Sequence, residues 1–99
     1  VYRGALALEQ AGAFGVVVEK VPAALATRIA GALRIPVIGI GAGHGVDGQI
    51  LVSHDMLGLY TRHKPRFVRR YAELGEAMSR AFAAYHRDVR KGEFPTDQE

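Results

Sequence analysis

Residues 35–55, IPVIGIGAGHGVDGQILVSHD, hold two short apolar runs, 36–40 and 50–52, on either side of a loop that contains Gly41, Gly43, Gly45 and Gly48. So many flexible positions cannot continue as one helix, and the stretch reads as strand, glycine-rich loop, strand. Short β-branched runs without alternation suit strands covered on both faces, as in the parallel sheets of α/β proteins, better than an exposed hairpin. A ligand site would sit at that loop.

The segments around it repeat the pattern. Residues 14–18 form a run rich in valine that ends in Glu19, which places a carboxylate at the carboxyl end of a buried strand. Pro22 suits the first turn of a helix, and Leu25, Ile29 and Leu33 follow at intervals of four with Ala26 and Ala30 filling the same face, which predicts a helix over 22–33. Strand, helix and strand of this length make a right-handed βαβ crossover. Ala5, Leu8 and Ala11, ahead of Gly12, predict an opening helix over 2–11.

After the loop, residues 50–54 are expected to form a third strand. Period-two geometry then places Ile50, Val52 and His54 on one face and Leu51 and Ser53 on the other, with both faces covered. Pro65 is expected to open a helix presenting Phe67, Val68, Tyr71 and Leu74. A last helix over 76–91 carries Met78, Phe82, Tyr85 and Val89 as its apolar stripe and stops at Gly92. No domain boundary is visible, and residues 1–99 are read as one partial domain.

A hydrophobic content of 48% with 23% charged residues is that of a globular chain and argues against disorder. The net charge of +3 permits anionic ligands. The basic run Arg62, Lys64, Arg66, Arg69 and Arg70 lacks interleaved stacking aromatics, so it reads as a solvated or subunit-facing surface rather than a nucleic-acid site. With no cysteine there is no thiolate chemistry and no disulfide framework, which fits a reducing compartment. No apolar run approaches the roughly 20 residues of a membrane span. The expectation is a soluble, cytoplasmic chain, and its start at Val1 within a predicted helix is expected of a piece of a longer one.

Three groups could carry chemistry. A carboxylate at a strand end is commonly solvated or paired, but Glu19 follows three valines directly, so an inward side chain would stand in an apolar mouth. Burial of that kind makes a carboxylate a stronger base. The GIGAG loop matches neither the P-loop nor the GxGxxG pattern, and a tight turn that lets backbone approach closely explains its glycines equally well. His44, Asp47, His54 and Asp55 lack the spacing of a metal set, and His54 is expected to be a hydrogen-bonded residue lining the site.

The segments VVVEKVP, IPVIGIGAG followed by DGQ, and ILVSHDMLG, together with KPRFV and the closing AYHRDVRKGEFP, resemble in order the carboxy-terminal part of the ketopantoate (3-methyl-2-oxobutanoate) hydroxymethyltransferase family. The resemblance covers nearly the whole chain. It implies that the chain is about the last three βα units, with closing helices, of a TIM (β/α)8 barrel that assembles as a homodecamer. It also implies an activity: transfer of a hydroxymethyl group from 5,10-methylenetetrahydrofolate to 3-methyl-2-oxobutanoate, giving ketopantoate for pantothenate and coenzyme A. In the family magnesium binds the keto acid and polarises its carbonyl.

By that resemblance Glu19 matches the catalytic base, while Ile40, Ile50 and Val52 match the apolar wall around the branched end of the keto acid. Gly39, Gly41 and Gly43 let the strand end and loop pass close to the ligands. The family's magnesium ligands and its substrate-carboxylate lysine belong to a preceding segment that these residues do not include. The chain alone is therefore expected neither to bind magnesium usefully nor to turn over. The alternative from another class is a non-catalytic half-barrel that serves as an interaction module, with Glu19 structural and the basic segment facing a protein partner.

Overall fold

Strand β1, Val16–Glu19, sends Val16 and Val18 to one side, where they are buried, and Val17 and Glu19 to the other, where they are exposed. The burying side is made by two helices, α1 (Tyr2–Gln10) and α2 (Ala23–Ala32), whose Ala5, Ala26 and Ile29 close over Val16, Val18 and Val37. Full burial of side chains such as Ile29 and Val37 contributes about 1.5–3 kcal/mol each. The computed structural model describes residues 1–99, which form two units, Val1–Leu51 and Val52–Glu99.

In the first unit β1 is followed by α2 and then by β2 (Val37–Ile40) and β3 (Gly48–Gln49), in a parallel three-stranded sheet of order β1-β2-β3. The expected crossover is present. Pro22 stands at the amino end of α2, where its missing N–H costs nothing. Leu33 leaves the helix in an extended conformation, and the Glu9 carboxylate accepts the N–H groups of Arg34 and Ile35 at 2.6 and 3.2 Å, which ties α1 to the turn before β2. The Arg28 guanidinium lies 4.2 Å from the centroid of the Tyr2 ring and joins the two helices at their surface.

Two expectations for this unit need correction. Helices cover only one face of the sheet, because both lie on the side of Val16, Val18 and Val37; on the opposite side Val17 is 58% exposed, although Ile40 is buried. The third strand also lies earlier than residues 50–54. It comprises Gly48 and Gln49, with one further ladder bond from Ile50 N–H to Gly39 O at 3.0 Å. The next bond in a parallel series would run from Val52 to Gly41, and there the chain turns away with a Gly41 φ of +61°.

In the second unit residues 53–56 form a short helix, α3 (Ser53–Met56), so Val52 and His54 are not strand residues. Residues 65–73 form no helix either. Instead Tyr71 N–H donates to Met56 O at 2.7 Å and Leu74 N–H to Leu57 O at 3.0 Å, and Arg70 reaches Tyr60 O at 3.1 Å. These bonds to another segment displace the local helix. The five cations of residues 62–70 have no acid among them to offset their repulsion on a helix face. Helix α4, Leu74–Lys91, starts slightly earlier than expected and ends at Gly92, whose φ of +72° supplies the left-handed cap. Its stripe of Met78, Phe82, Tyr85 and Val89 is exposed. No helix of the chain is long and apolar enough to cross a membrane.

Candidate functional site at the carboxyl end of the sheet

Glu19 is the last residue of β1 and pairs in register with Ile40, the last residue of β2. Residues paired across a parallel ladder share a face, so the Glu19 carboxylate and the Ile40 side chain lie together on the side away from the helices. Gly48 pairs with Ile38, and alternation then puts Ile50 on the same face. The first unit thus brings together Glu19, Ile40 and Ile50 of the residues singled out in the sequence. Val52 is half-exposed in the second unit, at the amino end of α3.

The environment of these residues is uneven. Ile40 is 5% exposed and Ile50 is 49% exposed, while Glu19 itself is exposed. The apolar mouth that would enclose Glu19 is therefore not completed by residues 1–51. Directly after it, Lys20 adopts a φ of +52°, unusual for a residue with a side chain, while its N–H donates to Ile40 O at 2.9 Å. That bond closes the ladder between the strand ends bearing Glu19 and Ile40.

The glycine-rich loop leaves β2 at Gly41 and returns through Asp47. It lies against the first turns of α2: a Cβ at Gly43 would stand 2.5 Å from Ala23 Cβ, and one at Gly45 would overlap Thr27 Oγ1. Gly43 also has a φ of +81°, so glycine is needed there twice over. The Thr27 hydroxyl is held in place by its bond to Ala23 O at 2.9 Å. Asp47 holds both backbone groups of Val37: Asp47 N–H donates to Val37 O at 2.9 Å, and Asp47 Oδ2 accepts Val37 N–H at 2.8 Å. Gln49 reaches back so that its Nε2 donates to Gly43 O at 2.8 Å.

Asp47 is thus a strand-register residue, and Gln49, which sequence reasoning passed over, is a loop tie. Their only signal in the sequence is the DGQ triplet itself. No three histidine or acidic side chains come close enough to hold a metal ion, so the residues present do not fit a magnesium centre. His54 lies in α3, within the second unit.

A carboxylate beside a buried branched side chain, at the carboxyl end of a parallel sheet, would be suited to taking a proton from a carbon acid where further apolar surface enclosed it. The fold is that of an α/β chain built on a parallel sheet. The ketopantoate hydroxymethyltransferase family profile matches residues 1–97. Three similar proteins are each called 3-methyl-2-oxobutanoate hydroxymethyltransferase. The one from Parabacteroides distasonis is 59% identical over 92 residues, 93% of this chain and 34% of that protein. Those from Salinibacter ruber and Christiangramia forsetii are 58% and 56% identical over 92 residues, again 93% of this chain and 35% and 34% of theirs. The chain belongs to the ketopantoate hydroxymethyltransferase family and spans about a third of the length of the curated relatives it matches.

Proposed function

We propose that this chain is the part of a 3-methyl-2-oxobutanoate hydroxymethyltransferase that supplies the general base and part of the apolar substrate wall. The observation that carries the proposal is the register of Glu19 with Ile40, which puts a carboxylate and a branched apolar side chain side by side on the helix-free face. Family membership over residues 1–97 supports it.

In the proposed reaction the Glu19 carboxylate accepts the proton from the methine carbon of 3-methyl-2-oxobutanoate, and the electron pair left behind is delocalised into the neighbouring carbonyl as an enolate. Water adds to the one-carbon unit of 5,10-methylenetetrahydrofolate and tetrahydrofolate leaves, which frees the unit as formaldehyde. The enolate carbon bonds to the formaldehyde carbon, and the alkoxide so formed takes back the proton held by Glu19 to become the hydroxymethyl group. Ile40 and Ile50 would hold the branched end of the keto acid and exclude water from the reacting carbon. Magnesium would be held by groups outside these residues.

The sheet face that no helix covers and the unpaired edge of β1 support a further part of the proposal. In the complete protein the preceding strands of a TIM (β/α)8 barrel would cover them, within a cytoplasmic homodecamer. Glu19→Gln, placed in a full-length enzyme carrying these residues, is expected to slow hydrogen exchange at the keto acid's methine carbon by at least ~100-fold, the low end of general-base effects. Exchange close to the parent rate would remove Glu19 from the base role.

A further inference from the structure

The DGQ triplet is left unexplained by the base and the apolar wall, and its last residue makes the one side-chain bond that closes the glycine-rich loop on itself. Gln49 pairs with Gly39 in the ladder, so its side chain starts on the face opposite Ile38 and Ile50. From there it crosses Gly39, where a Cβ would come within 3.8 Å of the Gln49 Oε1 and 3.0 Å of Val46 Cγ2, and its Nε2 donates to Gly43 O at 2.8 Å. Gly43 is already seated on Ala23 of α2, and the bond fixes the rest of the turn between that seat and β3. The turn begins at Gly41, immediately after Ile40, the residue in register with Glu19.

We propose that Gln49 is a positioning residue. Its amide, bonded to the Gly43 carbonyl across the gap left by Gly39, holds the loop 41–46 as a rigid rim beside Ile40, and this rim sets how the keto acid is seated next to Glu19. The proposal rests on the reading of Glu19 and Ile40 given above. A tie of this kind acts on substrate placement rather than on the base, because β1 is held separately by the bond from Lys20 N–H to Ile40 O. Gln49 is exposed, so its replacement leaves the core of the unit intact.

The test uses a full-length enzyme carrying these residues, with Gln49→Ala and Gln49→Glu. The glutamate variant keeps the shape of the side chain but removes the donor to Gly43 O. Both are expected to raise KM for the keto acid about five- to tenfold, the equivalent of one neutral hydrogen bond, with kcat within about twofold of the parent and the melting temperature unchanged. Amide hydrogen exchange of residues 41–46 should accelerate by a similar factor.

An unchanged KM, a Gln49→Glu variant that behaves like the parent, or a loss of kcat together with the melting temperature would each overturn the assignment. Unaccelerated exchange over 41–46 would overturn the tie whatever the substrate. Failure of the underlying reading shows elsewhere, as undiminished methine exchange in Glu19→Gln.

Discussion

At the scale of single residues, Lys20 shapes the end of β1 through its backbone. Its φ of +52° costs an L-residue about 1–2 kcal/mol, and the bond from its N–H to Ile40 O, which closes the strand ends, offsets part of that. The conformation also turns the chain sharply after Glu19, leaving the carboxylate at the very end of β1. A β-branched side chain would be crowded further in this conformation. Lys20→Val is therefore expected to destabilise the full-length protein by about 1–2 kcal/mol. Lys20→Gly should stay within about 0.5 kcal/mol of the parent, since relief of strain is matched by the greater freedom of the unfolded chain. Thermal unfolding measures both, and a valine variant as stable as the parent would show that the turn carries no strain.

At the scale of elements, β3 exists because Asp47 starts it. Val37 is fully buried, and its N–H finds its acceptor in the Asp47 carboxylate, which takes the place of a strand carbonyl that the incoming loop does not provide. Asp47→Ala would orphan that donor at a cost of about 1–3 kcal/mol, whereas Asp47→Asn keeps an acceptor oxygen and should cost less than about 1 kcal/mol. Faster amide exchange at Val37 in the alanine variant alone is the expected signature; equal exchange in both would mean that the carboxylate is not the acceptor in solution. The same contrast explains what the sequence reveals. The β1–α2–β2 unit is readable because Leu25, Ile29 and Leu33 mark one helix face and the valine run marks a strand, and both signals are local. Glu19 is readable for the same reason, since it follows that run directly.

Asp47 and Gln49 bond to backbone groups 10 and 6 residues away, which no periodicity reports. The early end of β3 follows from where β2 turns at Gly41, a property of the partner strand rather than of residues 50–54. Likewise Pro65 and the apolar residues after it have helical spacing, yet the backbone of residues 71–75 is claimed by Met56, Leu57 and Gly58. Non-local bonds decided both outcomes.

At the scale of the whole chain, the balance of covered and bare surface leads to the last prediction. The helix-free sheet face shows Val17 and Ile50, and α4 shows Met78, Phe82, Tyr85 and Val89 along one exposed stripe. The sheet also ends in two unpaired strands, β1 and β3, each with a row of backbone donors and acceptors facing outward. A chain of 99 residues with this much apolar surface in water gives up part of the burial that a domain of its size needs, and its open edges are templates for pairing with another copy. The isolated 99-residue polypeptide is therefore expected to self-associate at micromolar concentration, to bind a hydrophobic dye such as ANS, and to show no turnover of 3-methyl-2-oxobutanoate with or without added magnesium. Sedimentation and dye binding test the exposed surfaces independently of the proposed reaction. A monodisperse monomer that leaves the dye unbound would mean that the bare face and stripe are satisfied within the chain itself, and turnover by that monomer would place the whole catalytic set inside these residues.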